Sequence, residues 1–218
     1  MRNDSLSNSK LSLWNRIEYS SENPKSRKQA FSLVSSLAFH YLCANFEESP
    51  RKLKRTMKQS ILFVCLGNIC RSCTAEEIFR VKAAEAGLAD QYEIDSAGLI
   101  DYHEGELPDA RMRRVAQRHG YTLTHRSRPV MSADFEKFDY IVAMDLRNRE
   151  KLERMAQNPI QRNKIIMMAD YLQQQTRTYT YIPDPYYGTE RDFELVVELL
   201  EDACANLLQK TSTAQAEV

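Results

Sequence analysis

A cysteine and an arginine in one short segment, Cys65 and Arg71, carry the clearest chemical signal in the chain. The apolar run 61–65 predicts a buried strand that ends at the cysteine, and helical spacing begins near Arg71. Backbone N–H groups of such a loop and of the helix N-terminus converge on one point, which favours a doubly charged oxyanion or a thiolate. The guanidinium of Arg71 can hold two oxyanion oxygens at once. The segment predicts a nucleophilic cysteine beside an oxyanion site.

Three further residues of this segment are suited to shaping the loop. We expect Gly67 to permit a backbone turn that is closed to other residues, and Asn68 to tolerate a left-handed conformation. The hydroxyl of Ser72 can donate a hydrogen bond to the Cys65 sulfur when that sulfur acts as a leaving group.

A second motif, I-P-D-P-Y-Y-G, lies far downstream and contains Asp184. The two flanking prolines hold Asp184 on a stiff, extended loop. A carboxylic acid in this setting can deliver a proton to a leaving oxygen. Tyr186 and Tyr187 can wall a slot for an aromatic ring.

The two motifs together resemble those of a known family. V-C-L-G-N-I-C-R-S resembles the active-site loop of the low-molecular-weight protein tyrosine phosphatases, and I-P-D-P-Y-Y-G resembles their acid loop. The resemblance covers about 57–210 and no part of 1–56. It implies a metal-free, cofactor-free phosphatase that acts on phosphotyrosine in proteins through a phosphocysteine. Cys65 would be the nucleophile, Arg71 the phosphate clamp, and Asp184 the general acid and base.

The resemblance also implies roles for other positions. Ser96 would hold Asn68, and Asp145 would have a structural role. The residues expected to bind phosphate or support the loop are Leu66, Gly67, Asn68, Ile69, Cys70, Ser72 and Ser96. The residues expected to line the substrate slot are Leu99, Tyr102, Tyr186 and Tyr187.

Two cysteines near the nucleophile bear on its redox behaviour. Cys70, five positions after Cys65, is suitably placed to form a reversible disulfide with it under oxidation. Cys73 stands where the family usually has proline, and we expect it to loosen the support of the loop slightly.

Strand and helix patterns alternate after residue 57. They predict an α/β domain with three αβα layers around a four-stranded parallel sheet. The predicted strands are 61–65, 92–96, 138–144 and 164–168, and the predicted helices are 74–86, 108–120, 145–155 and 191–208.

The chain also has segments before and after this domain. Residues 1–56 form either a loosely packed N-terminal extension with one helix over 26–46, or a segment that comes from a start codon placed too far upstream. The phosphatase domain is predicted over 57–210, and residues 211–218 are predicted to be a flexible tail.

The composition of the chain indicates which kinds of partner it could bind and in which cell compartment we expect it. Lys plus Arg and Asp plus Glu both number 30, so overall charge gives no reason to expect nucleic acid as a partner. Five cysteines, an odd number, do not suit a secreted disulfide scaffold. The start is polar, without a signal peptide, and the apolar stretch 30–46 is too short and polar to span a membrane. We expect a cytoplasmic enzyme with a phosphotyrosine protein as substrate, which in bacterial members of the family is often a tyrosine kinase.

Three alternatives stay open. Cys65, Cys70 and Cys73, with Cys204 downstream, have the spacing of a plant-type iron–sulfur ligand set. Arsenate reduction on the same fold is the second, although the cysteine pair that it usually recruits is missing between Cys73 and Cys204. The third is a catalytically inactive phosphotyrosine-binding module. The remaining histidines are interpreted as polar surface or hydrogen-bonding residues (His103, His119 and His125), and Arg111, Arg113 and Arg114 are interpreted as a solvated helix face.

Overall fold

The structure is a computed structural model that describes residues 58–173 and 178–216, with side chains as far as residue 213. The chain divides into two units between Thr56 and Met57, and all of the described residues lie in the second. The N-terminal extension, its predicted helix and Cys43 lie outside the described residues.

Four parallel strands form one sheet. They are β1 (Gln59–Cys65), β2 (Tyr92–Gly98), β3 (Tyr140–Ala143) and β4 (Ile165–Met167), in the spatial order β2-β1-β3-β4. Cys65 lies opposite Gly98 on one side, and Val64 lies opposite Ala143 on the other. The carboxyl ends of β1, β2 and β3 therefore meet at one edge of the sheet, which is where ligands bind in open α/β sheets.

Helices connect the strands. They are α1 (Arg71–Glu85), α2 (Ala110–Arg118), α3 (Asp134–Lys137), α4 (Leu146–Met155), α5 (Pro159–Asn163) and α6 (Glu190–Ala216), with short 3-10 helices at Ala89–Gln91 and Met168–Tyr171. Gly87 follows the end of α1 with a φ of 71°, a left-handed conformation that glycine adopts without strain.

The side chains of β1 alternate between two cores. Ile61 and Phe63 belong to a core shared with α1, α2 and α6, whereas Leu62 and Val64 belong to one shared with Leu152 of α4. All four side chains are fully buried. A strand buried on both faces needs a continuous apolar run, which is why this strand was recognisable from sequence. The predicted α/β class, with three layers and a four-stranded parallel sheet, is confirmed.

Two details of the prediction differ from the structure. Residues 211–216 continue α6 instead of forming a flexible tail, and Thr211 is only 2% exposed. The Thr211 hydroxyl lies 2.8 Å from the Tyr92 hydroxyl, so the last turns are held against β2 by a polar contact that apolar periodicity does not reveal. The short helices α3 and α5 were not predicted either. Among the described residues, no helix has the length and apolar character needed to cross a membrane.

Candidate active site

The sulfur of Cys65 lies where β1 ends and the loop to α1 begins. Its side chain is nearly buried, with the residue 3% exposed. The Asn68 backbone N–H donates to Sγ across 3.3 Å, and the Ser72 hydroxyl lies 3.1 Å from Sγ, close enough to donate as well. No side chain caps the start of α1 at Cys70, so the amides of its first turn are open to an anion. Hydrogen-bond donors therefore surround Sγ and the space beside it, where an anion can bind.

Asn68 is the residue that fixes the loop. Its φ is 57°, as its residue type predicted. Its side-chain amide donates to Ser96 Oγ across 2.8 Å and to Ser72 Oγ across 2.9 Å. Its carbonyl oxygen accepts from His125 Nε2 and from the Arg128 backbone N–H, each at 3.0 Å. The expected bond between Ser96 and Asn68 is present, and the amide uses all four of its hydrogen-bonding positions.

A buried carboxylate supports this arrangement from α1. Glu76 Oε2 accepts from Ser96 Oγ across 2.6 Å and lies 3.0 Å from His125 Nδ1. Both ring nitrogens of His125 thus face side-chain oxygen atoms, of Glu76 and of Asn68. Burial raises the pKa of Glu76, but hydrogen bonds from His125, Ser96 and Arg80 outweigh it and hold the pKa below its usual value of 4.5.

Glu76 and His125 also form a cluster with Asp95. Their ligand atoms all lie within 4.8 Å of one another, a spacing that could hold a metal ion. Each of these side chains is already used, however. Asp95 pairs with Arg128 at 2.9 Å, and Glu76 and His125 hold Ser96 and Asn68. The cluster therefore supports the loop.

Two glycines of the site leave little room for a side chain. A Cβ on Gly67 would lie 3.2 Å from the His103 ring, and one on Gly98 would lie 3.1 Å from the Gly67 carbonyl carbon. The expectation that Gly67 permits an unusual backbone turn was wrong, because it is not among the described glycines with positive φ. Space, and not a positive φ, limits a side chain there, because the His103 ring would have to shift to admit a Cβ.

The guanidinium of Arg71 joins two carboxylates. Nη1 donates to Asp145 Oδ2 and Nη2 donates to Asp184 Oδ2, both across 2.6 Å. Nη1 also donates to the Ile182 carbonyl across 3.2 Å. Burial lowers the pKa of Arg71, but the negative charges of Cys65, Asp184 and Asp145 outweigh it and raise the pKa above its usual value. Asp145 has the structural role that was expected, because it also caps α4 by accepting from the Asn148 N–H.

The loop that carries Asp184 is attached at both ends. The Ile182 N–H donates to the Met144 carbonyl across 2.8 Å, next to the end of β3. Beyond Asp184, the Arg111 guanidinium donates to the Tyr186 carbonyl across 3.0 Å, and it stacks on the Tyr186 ring at 5.5 Å from its centre. The interpretation of Arg111 as part of a solvated helix face was therefore wrong. The position of Arg111 on its helix does not reveal this contact, because its partner Tyr186 is distant in the sequence.

These elements surround a depression of about 290 Å³. Its floor contains Cys65, Arg71 and Asp184, and Tyr102 is 83% exposed and Tyr187 96% exposed at its rim. The other lining residues are Leu66, Gly67, Ile69, Cys70, Ile100, His103 and Tyr186. The assignment of Leu99 to the slot was wrong, because Leu99 is 9% exposed and packs in the core with Leu62 and Val64, leaving its neighbour Ile100 at the slot.

Comparison with known proteins agrees with this geometry. The family model described as "Low molecular weight phosphotyrosine protein phosphatase" matches residues 60–217. The chain belongs to this family.

The relative of that name from Gallus gallus is 40% identical over 154 residues, which cover 70% of this chain and 95% of the relative. One from Drosophila melanogaster is 39% identical over 163 residues, covering 74% of this chain and 98% of the relative. A protein tyrosine phosphatase structure from Entamoeba histolytica, described with Hepes in its active site, superposes with a TM-score of 0.69 at 43% identity, covering 72% of this chain and 99% of that one. The chain is accordingly a protein tyrosine phosphatase, a hydrolase.

The other described cysteines of this phosphatase are buried thiols. Burial, followed by the nearby negative charge of Cys65, raises the pKa of both Cys70 and Cys73. Cys204 Sγ lies 3.6 Å from the Ala75 carbonyl oxygen, and burial raises its pKa too. In the described part of the chain, no three cysteines bring their sulfur atoms within 4.8 Å of one another, so the iron–sulfur alternative has no geometric support.

Several residues of the phosphatase site were missed in the sequence. Glu76 falls inside an ordinary helical pattern, and Arg128 lies in a loop without a motif. His125 was interpreted only as a surface or hydrogen-bonding residue, and it is the latter. A carboxylate in the second turn of a helix that starts at the active-site loop was the one available signal, since Phe79, three positions on, lies on the same face and places it toward the interior.

Proposed function

We propose that this phosphatase hydrolyses phosphotyrosine through a phosphocysteine intermediate on Cys65. The observation that carries the proposal is the position of Cys65 Sγ, which receives the Asn68 N–H at 3.3 Å and lies at the bottom of a depression that Arg71 and Asp184 also line. A sulfur nucleophile, a fixed cation and a carboxylic acid then face one small volume. This is the set of groups that splits a phosphate ester in two steps.

In the first step the Cys65 thiolate attacks phosphorus in line with the leaving oxygen. A sulfur–phosphorus bond forms as the bond between phosphorus and the tyrosine oxygen breaks. Arg71 and the amides of the loop hold the three non-bridging oxygens, whose charge they stabilise. The arginine suits this role because it is 2% exposed and its orientation is fixed by Asp145.

Asp184 supplies the proton that the departing tyrosine oxygen needs. It lines the same depression as Cys65, and its side chain is 43% exposed, so it can exchange protons with solvent between turnovers. Its second oxygen accepts from the Tyr186 N–H across 3.2 Å, which orients the carboxyl group. In the second step Asp184 takes a proton from water as that water attacks phosphorus, and the Cys65 thiolate leaves, stabilised by Ser72 and the Asn68 amide.

The substrate is phosphotyrosine in a protein. The exposed rings of Tyr102 and Tyr187 stand at the rim of the depression, and the Tyr186 and Tyr187 rings meet edge to face with their centres 4.9 Å apart. An aromatic ring packed between such walls would direct its phosphate toward Cys65, which lines the same depression. A tyrosine kinase as the physiological substrate, and the cytoplasm as the location, stay predictions.

Hydrolysis of p-nitrophenyl phosphate in the presence of EDTA tests the proposal, with wild type beside Cys65→Ser and Cys204→Ser. The account predicts activity in the wild type and in Cys204→Ser, which alters a buried thiol far along the chain, and none in Cys65→Ser. Activity that survives in Cys65→Ser, or that disappears from the wild type with EDTA, contradicts it.

A further inference from the structure

A second depression lies beside the active site, on the other side of Asp184. It has a volume of about 330 Å³ and is lined by Arg71, Asp145, Leu146, Arg147, Tyr181 and Asp184. Arg71 and Asp184 therefore contribute to both depressions. A substrate group bound in the second one would lie next to the carboxyl group that must reach the tyrosine oxygen.

The lining exposes two large apolar side chains. Leu146 is 61% exposed and Tyr181 is 49% exposed, whereas Ile182, which follows Tyr181, is fully buried. Leu146 is the first residue of α4, and Tyr181 lies in the segment that leads into the acid loop. Two elements that form the catalytic site thus turn an apolar side chain toward the same depression. Single exposed apolar residues are ordinary, but a pair beside a catalytic acid is a surface on which a substrate can pack.

The lining carries two arginines and two carboxylates, but they are not paired one to one. The carboxylates of Asp145 and Asp184 are both paired with Arg71. Arg149 and Arg154, on the same helix as Arg147, pair with Glu153 and Glu150. Within the described residues Arg147 forms no ion pair, so this depression offers an incoming ligand a cation that no carboxylate already occupies.

We propose that this second depression binds the residues next to phosphotyrosine in a protein substrate, and that it selects an acidic side chain at Arg147 and an apolar one against Leu146 and Tyr181. The inference rests on the proposed function. With the phosphotyrosine ring in the slot and its oxygen beside Asp184, the peptide backbone lies at the rim that the two depressions share. One extended residue spans about 3.3 Å, so the nearest neighbours of the phosphotyrosine reach Arg147.

The expected selectivity is modest because Arg147 is exposed. An ion pair with an exposed arginine changes an equilibrium by roughly two- to fivefold. The preference for an acidic flanking residue should appear in kcat/KM, because that residue contacts Arg147 in both the bound substrate and the transition state.

The experiment uses a set of phosphotyrosine peptides in which Asp, Lys, Leu or Ala occupies each of the three positions on either side. We would measure kcat/KM for the full-length wild type, Arg147→Glu, Tyr181→Ser and Arg154→Glu. Arg154→Glu is the matched control, because it makes the same charge change on α4 outside this depression. Each value is divided by the p-nitrophenyl phosphate value of the same protein, so that losses common to all substrates cancel.

The proposal predicts at least one position where the wild type and Arg154→Glu prefer Asp over Lys by roughly two- to fivefold. Arg147→Glu should reverse that preference, and Tyr181→Ser should lose a preference for Leu over Ala. An identical Asp-to-Lys ratio in wild type and Arg147→Glu at every position overturns the proposal while leaving the phosphatase mechanism intact. Failure of the mechanism shows itself differently, as p-nitrophenyl phosphate hydrolysis that Cys65→Ser retains.

Discussion

Arg71 Nη2 donates to Asp184 Oδ2 across 2.6 Å, so the residue proposed to clamp phosphate also holds the residue proposed to act as the acid. A phosphate group that binds at Arg71 competes for the same guanidinium edge. Its arrival would release one oxygen of Asp184 toward the tyrosine oxygen. Substrate binding and positioning of the acid are thereby coupled through one side chain.

The role of Asp184 predicts how its loss depends on the leaving group. Asp184→Asn should lower kcat by roughly 100-fold or more for phosphotyrosine, whose phenol has a pKa of about 10. The loss should be much smaller for p-nitrophenyl phosphate, whose more acidic phenol needs less help. Steady-state rates over a series of aryl phosphates check this, with Asp90→Asn as the control because Asp90 is exposed and remote from the site. Equal losses for all leaving groups would count against general-acid catalysis.

The network around Asn68 predicts a difference between two substitutions. Asn68→Gly and Asn68→Ala both remove the buried hydrogen bonds that Asn68 makes with Ser96, Ser72 and His125, so both should lower kcat/KM on the order of tenfold. Only alanine is also strained at a φ of 57°, so Asn68→Ala should be less stable than Asn68→Gly by about 1 kcal/mol. Urea unfolding and peptide kinetics measure the two effects. Wild-type activity in both variants would show that the network does not support the loop.

The lowered pKa of Glu76 predicts that the free energy of unfolding falls in acid. Its pKa in the folded protein lies below the usual 4.5, so its contribution to the free energy of unfolding is complete above pH 4.5 and is lost as the pH falls through the folded pKa. Glu76→Gln should therefore lower stability near neutral pH and flatten its dependence on pH below 4.5. Urea unfolding from pH 3 to pH 7 tests this, with Glu77→Gln as the neighbouring control. Parallel curves for wild type and Glu76→Gln would contradict the assignment.

The position of Cys70 near the nucleophile predicts how the activity of the enzyme responds to peroxide. Burial and the nearby charge of Cys65 raise the pKa of Cys70, so it stays a thiol while peroxide oxidises Cys65 to the sulfenic acid. The Cys70 sulfur then displaces hydroxide from that acid, which forms the disulfide and releases water. Wild-type activity should return fully with dithiothreitol, whereas Cys70→Ser should be inactivated permanently. Full recovery in Cys70→Ser would rule out Cys70 as the protective partner, and Cys204→Ser should behave as wild type.

Residues whose role follows from type and spacing could be predicted from the sequence. Cys65, Arg71 and Asp184 all line one depression, and the buried strand before Cys65 needed only its apolar run to be recognised. The register of the sheet then brings the ends of β1 and β2 together, because Cys65 lies opposite Gly98.

Residues whose role depends on tertiary packing could not be predicted. Leu99 and Ile100 are equally apolar, and only the direction of the chain after β2 decides which one lines the slot. Glu76, His125 and Arg111 act through partners that are distant in sequence, such as Ser96, Asn68 and Tyr186. Such contacts exist only after the loops have been packed against one another.

The most direct test of the account is the chemical identity of the intermediate. Wild type and Asp184→Asn would be mixed with p-nitrophenyl phosphate, quenched in acid within milliseconds, digested and analysed by mass spectrometry. The account predicts one phosphate on the peptide that contains Cys65, in both proteins, and none in Cys65→Ser. Phosphate on another residue, or rapid hydrolysis with no phosphate on Cys65 at any time, would contradict it.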